Sequence, residues 1–358
     1  MNKKRICFFT PVSLNSIGGG ERVLCVLANE LSKEHEVHIV SYDSEGSFYF
    51  ISDNIRLHKL GMKKSRNYFL RKFQPLFYLK NFRHYIKQQQ FDEVIALSEI
   101  GCLFVSLALC FFKIKKLAWL HNSYFEPQPF IIRISRKFVL SFFYKTIVLN
   151  KTDERIYREQ KGLKNIVRIP NPLTIESERK SELKEKRIIS VGRLNRQKGF
   201  NYLIEACLPV LEKNAEWKLD IFGQDDGIQA ALQHQIEQTL CSDRITIHPP
   251  TSEIMSEYLN SSIFAFTSLF ESFGLVLLEA AEAGLPLIAF DSPSGIADIV
   301  TDGYNGFLVE KINIQDFTAK LQLLVNKPEL REQYAKGSIA TARNFSIEKI
   351  IKLWNEIL

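Results

Sequence analysis

The chain has 358 residues, of which 46% are hydrophobic and 24% are charged, and its formal net charge is +7. This composition excludes a largely disordered chain and provides for a large apolar core, while the length favours two domains over one. The basic excess belongs to one half: residues 1–180 contain 30 Lys and Arg against 16 Asp and Glu, and residues 181–358 contain 17 against 24. The asymmetry predicts that the two halves have different tasks.

Three features argue against a secreted or membrane-spanning protein. The six cysteines are scattered and form no C-x-x-C pair, which argues against a disulfide framework or a zinc ribbon and suits a reducing cytosol. The apolar run at residues 6–9 is shorter than the roughly 7–15 residues of a signal-peptide core. Residues 100–112 are apolar but fall short of the roughly 20 that span a bilayer, so they predict a buried core helix, with an interfacial segment as the alternative.

Short strand-like runs alternate with helical patterns along the chain. The first half predicts strands at residues 5–10, 35–41, 91–97, 116–120 and 145–149, with a helix at about 21–32. The second half predicts strands at residues 187–192, 217–222, 244–248, 263–267, 286–290 and 306–309, with a helix at 200–212. The polar stretch 175–186 has the composition of a linker. The sequence therefore predicts an α/β fold of two doubly wound domains meeting near residues 172–186, with ligands at the carboxyl ends of the strands, facing an interdomain cleft.

Two glycine-containing loops are candidates for anion binding. Residues 18–20 (GGG) follow the first strand and open the first helix, where backbone N–H groups and the helix dipole attract an anion. A tight turn without a ligand is the alternative there. Residues 191–199 (VGRLNRQKG) follow another strand, and their Arg193 and Lys198 would converge on a diphosphate, the first as a bidentate donor and the second as a point charge. Two solvated surface cations are the alternative reading.

A pair of glutamates gives the most specific signal. Glu271 precedes a predicted helix and Glu279 lies within it, eight positions later and surrounded by apolar residues. Eight positions make about 2.2 helical turns, so the sequence predicts that the two carboxylates share one face, each accepting from sugar hydroxyls. The N–H groups of the first turn would face a phosphate between them. A carboxylate in an apolar helix needs a partner, and a structural salt bridge is the alternative explanation for Glu279.

These residues carry a resemblance to a known family. The spacing from Glu271 to Glu279 matches the E-x7-E signature of retaining glycosyltransferases with two Rossmann-like domains (the GT-B fold), and nearly the whole chain resembles glycosyltransferase family 4. Four further segments are similar to family elements in the same order: IPNP at 169–172, VGRLNRQKG at 191–199, FGQDDG at 222–227 and DGYNGFLV at 302–309.

The resemblance implies a domain plan and a set of site residues. Residues 1–174 would bind the acceptor, residues 175–345 the nucleotide-sugar, and residues 346–358 would form a helix that packs back on the first domain. Catalytic roles are implied for His121, Arg193, Lys198 and Glu271. Donor-binding roles are implied for Gly19, Gly20, Gly192, Arg193, Lys198, Gly223, Ser272, Phe273, Gly274, Leu275 and Glu279. A packed or surface histidine is the alternative for His121.

The mechanism expected from the resemblance is retention of anomeric configuration by front-face attack, with no metal and no cofactor. Arg193, Lys198 and the helix N-terminus at Gly274 would stabilise the leaving diphosphate. The acidic pair at residues 225–226 is interpreted as a turn, because no other ligand residues accompany it. Residues 291–295 (DSPSG) favour a UDP-hexose donor, and Asp298 stands where the family usually has Glu.

Two segments of the basic half combine cations with aromatic residues. Residues 63–90, which Pro75 should divide, and residues 125–143 have the composition of a surface that contacts anionic lipid headgroups. Aromatic residues facing a core under a solvated basic face are the alternative, and nothing in the sequence resembles a nucleic-acid-binding module.

The sequence thus predicts a cytoplasmic transferase, peripheral on the inner face of the cell membrane. It would move a hexose or N-acetylhexosamine from a UDP-sugar to a lipid-linked glycan or a lipopolysaccharide-, O-antigen- or capsule-type acceptor. A non-catalytic sugar-nucleotide-binding subunit and a sugar-nucleotide 2-epimerase are the rival readings, because a fold alone does not fix a function.

Overall fold

The computed structural model describes residues 3–42, 46–61, 77–128, 130–293 and 295–358. The chain divides into two compact units. Unit 1 comprises Met1–Pro172 together with Ile347–Leu358, and unit 2 comprises Leu173–Ser346. Each unit is a parallel β-sheet flanked by helices, so the predicted fold class is confirmed.

Unit 1 contains a seven-stranded sheet in the order β3-β2-β1-β4-β5-β6-β7, all parallel. Its strands are β1 Arg5–Thr10, β2 Glu36–Ser41, β3 Arg56–Lys59, β4 Glu93–Leu97, β5 Lys115–Trp119, β6 Lys145–Val148 and β7 Ile166–Arg168. The strand order reverses between β1 and β4, and the carboxyl ends of the strands at such a switch point are where ligands bind in doubly wound sheets.

The helices of unit 1 cover both faces of this sheet. They are α1 Gly19–Leu31, α2 Leu79–Gln89, α3 Ser98–Ala108, α4 Phe130–Ser141 and α5 Lys151–Arg155, which continues as a π-helical turn at Ile156–Gln160. The core helix predicted from residues 100–112 is confirmed in part as α3, which ends at Ala108: Cys102, Phe104 and Val105 are buried in the core of unit 1. Three apolar residues of the predicted run are instead exposed, namely Ile100, Leu107 and Phe111. Within the described ranges, no helix is both long enough and apolar enough to cross a bilayer.

A last helix, α12 at Ile347–Asn355, completes unit 1. Its Trp354 is buried, and the ring lies 4.9 Å from that of Trp119 at the end of β5. The Lys115 ammonium donates to the backbone carbonyl of Leu358 at 3.1 Å. The chain therefore returns to unit 1 after passing through unit 2.

Unit 2 contains a six-stranded parallel sheet in the order β10-β9-β8-β11-β12-β13. Its strands are β8 Arg187–Val191, β9 Lys218–Phe222, β10 Ile245–His248, β11 Ile263–Phe266, β12 Leu287–Asp291 and β13 Gly306–Glu310. Its helices are α6 Phe200–Lys213, α7 Gln229–Glu237, α8 Ile254–Leu259, α9 Leu275–Glu282, α10 Ile314–Asn326 and α11 Pro328–Ala342. The order reverses between β8 and β11, which places the switch point of this sheet beside the loops that follow those two strands.

The polar stretch at residues 175–186 contains no helix or strand, as its composition predicts, but it is packed on unit 2. Lys180 forms an ion pair with Glu282 on α9 at 2.5 Å. The Ser181 hydroxyl donates to the carbonyl of Ser261, and its N–H donates to that of Ala283. Hydrogen bonds of this kind attach the stretch to one unit, so it is not a free linker.

Candidate active site

The loops after β8 and β11 meet through an ion pair between Lys198 and Glu271. Lys198 ends a short 3-10 turn whose N-cap, Asn195, accepts from the Lys198 N–H at 3.3 Å. The Lys198 ammonium also lies 5.5 Å from the centre of the Phe266 ring at the end of β11. Both side chains are largely enclosed, with exposed fractions of 14% for Lys198 and 11% for Glu271. The structure thus brings two predicted catalytic residues together at the switch point.

Two glycines make room for this arrangement. The stem of Lys198 crosses Gly192, where an added Cβ would lie 3.2 Å from the Lys198 Cδ and Cε atoms. At Gly223, just after β9, an added Cβ would lie only 1.8 Å from the carbonyl oxygen of Gly192. The ends of β8 and β9 can therefore approach each other only while residue 223 lacks a side chain.

Glu271 is held from several directions. The Ser268 hydroxyl donates to its Oε1 at 3.1 Å, and the backbone N–H of Gly295 donates to its carbonyl at 3.2 Å. An added Cβ at Gly295 would lie 2.5 Å from the Ser272 carbonyl oxygen and 2.6 Å from the Phe273 Cα. The backbone of Gly295 therefore packs directly against the backbone of residues 272–273, which belong to the predicted donor-binding loop. The DSPSG run contained this glycine, but its contact with the loop is tertiary and left no pattern in the sequence.

The prediction that Glu271 and Glu279 share one face of a helix is wrong. The helix α9 begins at Leu275, after Gly274 in the left-handed region at φ 91°, so Glu271 is not helical. Glu279 is the fifth residue of the helix, little more than one turn from its start. The turn at Gly274 separates the two glutamates, and the first-turn N–H groups of α9 begin between them.

Glu279 is buried and accepts from hydroxyl donors. The Tyr258 hydroxyl donates to its Oε2 at 3.3 Å, and the Thr174 hydroxyl donates to its Oε1 at 3.4 Å. Both carboxylate oxygens therefore accept from hydroxyl groups of unit 2, which gives the buried charge polar partners.

Arg193 lies on the same loop as Lys198 but pairs with a different carboxylate. Its guanidinium is 3.7 Å from Asp226, and 60% of its side chain is exposed. Asp225 accepts from the N–H groups of Gly227, Ile228 and Gln229 with one oxygen, so the predicted turn at residues 225–226 is confirmed. Among the residues that the structure describes, no group of three His, Cys, Asp or Glu side chains could hold a metal ion.

The predicted site residues of unit 1 lie at the carboxyl edge of its sheet. Gly19 and Gly20 form the first turn of α1, and an added Cβ at Gly20 would lie 3.7 Å from the His121 Nδ1. The His121 ring packs 4.2 Å from that of Trp119, and its Nε2 is buried without a hydrogen-bond partner in the described part of the chain. Burial lowers the pKa of His121 to about 3, so its imidazole is neutral near pH 7.

Sequence reasoning missed a buried polar cluster in unit 1, which contacts the segment that contains His121. Glu99 at the start of α3 pairs with Arg136 on α4, and Asp153 on α5 accepts from the backbone N–H of Tyr124. These residues come from separate elements with no common spacing, so no sequence motif announced them.

Two family models match the chain. The model described as Glycosyltransferase Family 4 matches residues 17–177. The model described as Glycosyl transferases group 1 matches residues 174–340. Together they span both units, and the second contains both Lys198 and Glu271.

Several curated relatives align over nearly their full length. An uncharacterized glycosyltransferase of Haemophilus influenzae is 31% identical, with 99% of this chain and 100% of the relative covered. The amylovoran biosynthesis glycosyltransferase AmsD of Erwinia amylovora is 30% identical, with 96% and 97% covered. A Campylobacter jejuni enzyme named as an α-1,4-N-acetyl-D-galactosaminyltransferase acting on a diphosphoundecaprenol-linked glycan is 24% identical, with 98% and 97% covered.

Solved structures share the fold. Sucrose-phosphate synthase from Thermosynechococcus elongatus superimposes with a TM-score of 0.85 at 16% identity, covering 99% of this chain and 98% of that one. Anabaena HepE in complex with UDP-glucose gives a TM-score of 0.81 at 16% identity, with the same coverage.

Proposed function

The chain belongs to glycosyltransferase family 4, and on that basis we propose that it transfers a hexose or N-acetylhexosamine from a UDP-sugar to a glycan acceptor with retention of configuration. The single observation that carries the proposal is the enclosed pair of Lys198 and Glu271 at the switch point of unit 2. The DSPSG run and the UDP-glucose bound to Anabaena HepE support the choice of donor.

The leaving group is a nucleoside diphosphate, so the main chemical task is to stabilise developing negative charge. Lys198 offers an ammonium that Glu271 holds in place, and the amino end of α9 after Gly274 offers N–H groups that have no partner within the helix. Exposed ion pairs contribute little free energy, so Arg193 can exchange Asp226 for a phosphate oxygen. These groups supply the charge stabilisation in the proposal, which includes no metal and no cofactor.

The remaining residues bind the donor in this proposal. Glu271 contacts the transferred sugar, and Glu279 accepts from the ribose hydroxyls. The backbone amides of Phe273, Gly274 and Leu275 donate to the sugar and the phosphates. His121 is neutral, so it acts as a hydrogen-bonding group toward the sugar and not as a cation. The acceptor hydroxyl attacks from the face that the diphosphate leaves.

The acceptor in this proposal is a lipid-linked glycan or a lipopolysaccharide-type glycan at an anionic membrane surface on the cytoplasmic side. The names of the Erwinia and Campylobacter relatives support the acceptor class. The exposed residues of α4 support the proposed contact with a membrane. This outer face of α4 consists of Phe130 and Phe138, which are 75% and 68% exposed, and of the exposed Arg133 and Lys137. The helix contains no acidic residue that would repel anionic headgroups. Residues 63–76 of the other basic segment lie outside the described residues.

The test is turnover of a panel of UDP-, GDP- and ADP-sugars by the purified protein, measured as slow donor hydrolysis together with thermal stabilisation. Glu271→Ala and Lys198→Ala are compared with Leu240→Ala, a truncation of a 90% exposed side chain that serves as control. We expect one UDP-sugar to stabilise the wild type and to be turned over, and only the first two variants to lose turnover.

Two other results would favour a different function for the chain. A donor that stabilises the protein without any turnover, even with added lipid-linked acceptor, would indicate a non-catalytic sugar-nucleotide-binding subunit. A released sugar epimerised at C2 would indicate a 2-epimerase.

A further inference from the structure

An enclosed ion pair joins α3 and α4 of unit 1. Glu99, two residues after β4, accepts from the Nη2 of Arg136 at 2.8 Å, and the two side chains are 4% and 6% exposed. The Glu99 Oε2 and the Arg136 Nε are buried without hydrogen-bond partners among the described residues. A buried pair of this kind is costly to desolvate and contributes little net stability, so its placement calls for another explanation.

The pair acts on the peptide of Tyr124, in the segment that follows β5. The Arg136 Nη1 donates to the Tyr124 carbonyl at 3.5 Å, and the guanidinium lies 4.9 Å from the centre of the Tyr124 ring. From the other side, the Tyr124 N–H donates to the Oδ1 of Asp153 at 3.2 Å. One residue is thus held at its N–H, its carbonyl and its ring.

Asp153 is itself fixed at the start of α5. The Asn150 side chain, which caps this helix after β6, accepts from the Asp153 N–H at 2.7 Å and donates to the Asp153 Oδ2 at 2.9 Å. The cluster therefore links the segments that follow β4, β5 and β6, three neighbouring strands of the sheet.

The held segment contains His121, three residues before Tyr124. The His121 ring lies against Gly20 and Trp119, and its Nε2 has no hydrogen-bond partner within the described ranges, so the backbone on either side of the residue decides where the imidazole points. We propose that Arg136 and Asp153 are positioning residues that clamp Tyr124 and thereby fix His121 for the transfer reaction. The proposal deepens and rests on the function assigned to His121 above.

The clamp depends on pH through Asp153. Burial raises the pKa of Asp153 to about 6, so its carboxylate gains a proton as the pH falls through that value and becomes a poorer acceptor for the Tyr124 N–H. His121, whose pKa is about 3, stays neutral over this range. The groups that face Asp153 are Asn150, Tyr124, Arg136, Glu99 and Tyr157.

The first experiment uses the double variant Glu99→Gln/Arg136→Gln, which leaves no buried charge of this pair without its partner. The matched control is Glu30→Gln/Lys33→Gln, which removes an exposed ion pair at the end of α1 of the same unit. We expect the clamp variant to show faster amide hydrogen exchange in residues 121–128, and its kcat to fall by about tenfold or more because a small displacement of a reacting group is costly. Its affinity for UDP should be unchanged, and the control should match the wild type.

The second experiment compares the pH profiles of Asp153→Asn and the wild type. The amide at position 153 keeps an oxygen that can accept from the Tyr124 N–H, but it no longer titrates. We expect the fall in wild-type kcat near pH 6 to be absent from Asp153→Asn. The control is Asp316→Asn on unit 2, which removes a carboxylate paired with Lys320 at 3.1 Å and should keep the wild-type pH profile.

Three results would overturn the clamp. The first is an amide hydrogen exchange rate at residues 121–128 of the double variant that equals that of the wild type. The second is a loss of kcat in the double variant that is fully explained by a smaller folded fraction. The third is a fall in kcat near pH 6 that persists in Asp153→Asn. If no donor is turned over, the proposed function fails, and the exchange measurement alone still decides whether Arg136 and Asp153 hold the segment.

Discussion

Lys198 and Glu271 are 73 positions apart in the sequence, and their side chains form an ion pair at the carboxyl edge of the unit 2 sheet. They meet because β8 and β11 are neighbours in the sheet, so the loops after these strands lie side by side. The pair explains why two separate motifs belong to one site: the carboxylate orients the ammonium, and the ammonium neutralises the carboxylate.

Removing the Lys198 ammonium should affect turnover more than folding. We expect Lys198→Ala to lower kcat by about 100-fold, as the loss of one preorganised charge-stabilising donor does in other enzymes. The measurement is the initial rate with saturating donor. Lys184→Ala, which removes an exposed lysine paired with Glu182, is the control and should keep the wild-type rate. A Lys198→Ala variant with full kcat would exclude Lys198 from the chemistry.

The close approach of β8 and β9 should make Gly223 intolerant of any side chain. A Cβ there would overlap the Gly192 carbonyl, so we expect Gly223→Ala to cost about 1–3 kcal/mol of unfolding free energy and to weaken UDP binding. Urea unfolding and isothermal titration with UDP measure the two effects. Gly227→Ala is the nearby comparison, because no described atom lies within 4 Å of a Cβ there, although its positive φ of 98° adds strain of its own. Equal loss of UDP affinity in both variants would contradict the steric argument.

Truncating Trp354 should destabilise unit 1. The ring is buried against Trp119, and we expect Trp354→Ala to lower the unfolding free energy by about 3–5 kcal/mol. Limited proteolysis should then cut unit 1 at lower urea than unit 2. Cleavage that begins in unit 2 would show that α12 contributes little to unit 1.

Acid should remove a stabilising contribution from Glu36. Hydrogen bonds from Arg5 and His38 lower the pKa of Glu36 to about 2, below its ordinary value of 4.5. A carboxyl whose folded pKa is lowered stabilises the fold above its unfolded pKa and loses that effect as the pH falls toward 2.

We therefore expect Glu36→Gln to be less stable than the wild type by about 1–2 kcal/mol at pH 7, with the difference vanishing as the pH falls from about 4.5 to about 2. Urea unfolding across this range measures it. Glu30→Gln, which breaks an exposed pair with Lys33, should change stability little at any pH. A difference for Glu36→Gln that is independent of pH would assign its effect to packing.

The outer face of α4 should control binding to anionic vesicles. We expect the wild type to cosediment with vesicles containing phosphatidylglycerol at low salt, and Arg133→Glu/Lys137→Glu to bind at least ~25-fold more weakly, at about 1 kcal/mol per cation. Lys213→Glu on unit 2 is the charge control. Vesicle binding that survives the double reversal would exclude this face as the contact, and a change in oligomeric state instead would indicate a self-association surface.

The apolar runs predicted most of the strands, because central parallel strands are buried on both faces and consist of continuous hydrophobic residues. Two strands escaped prediction for the same reason. The β3 sequence RLHK is half-exposed at the sheet edge, and β7 is three residues long with only its first residue buried. Neither forms an apolar run.

The sequence predicted those parts of the candidate site that lie within one continuous motif. It did not predict the parts that depend on contacts between residues distant in the sequence. The spacing of Glu271 and Glu279 suggested a common helical face, but one left-handed glycine between them starts the helix later. Likewise, Arg193 and Lys198 share a loop, yet their side chains pair with different carboxylates. The hydrogen bonds from Arg136 and to Asp153 that hold Tyr124 come from elements that only the tertiary fold brings together.

The return of α12 to unit 1 has a consequence for the order of events during translation. Unit 2 is continuous in sequence, whereas the core around Trp119 lacks Trp354 until residues 347–358 have been made. All residues of unit 2 are therefore synthesised before the final helix of unit 1, and the core of unit 1 stays incomplete until residues 347–358 are available.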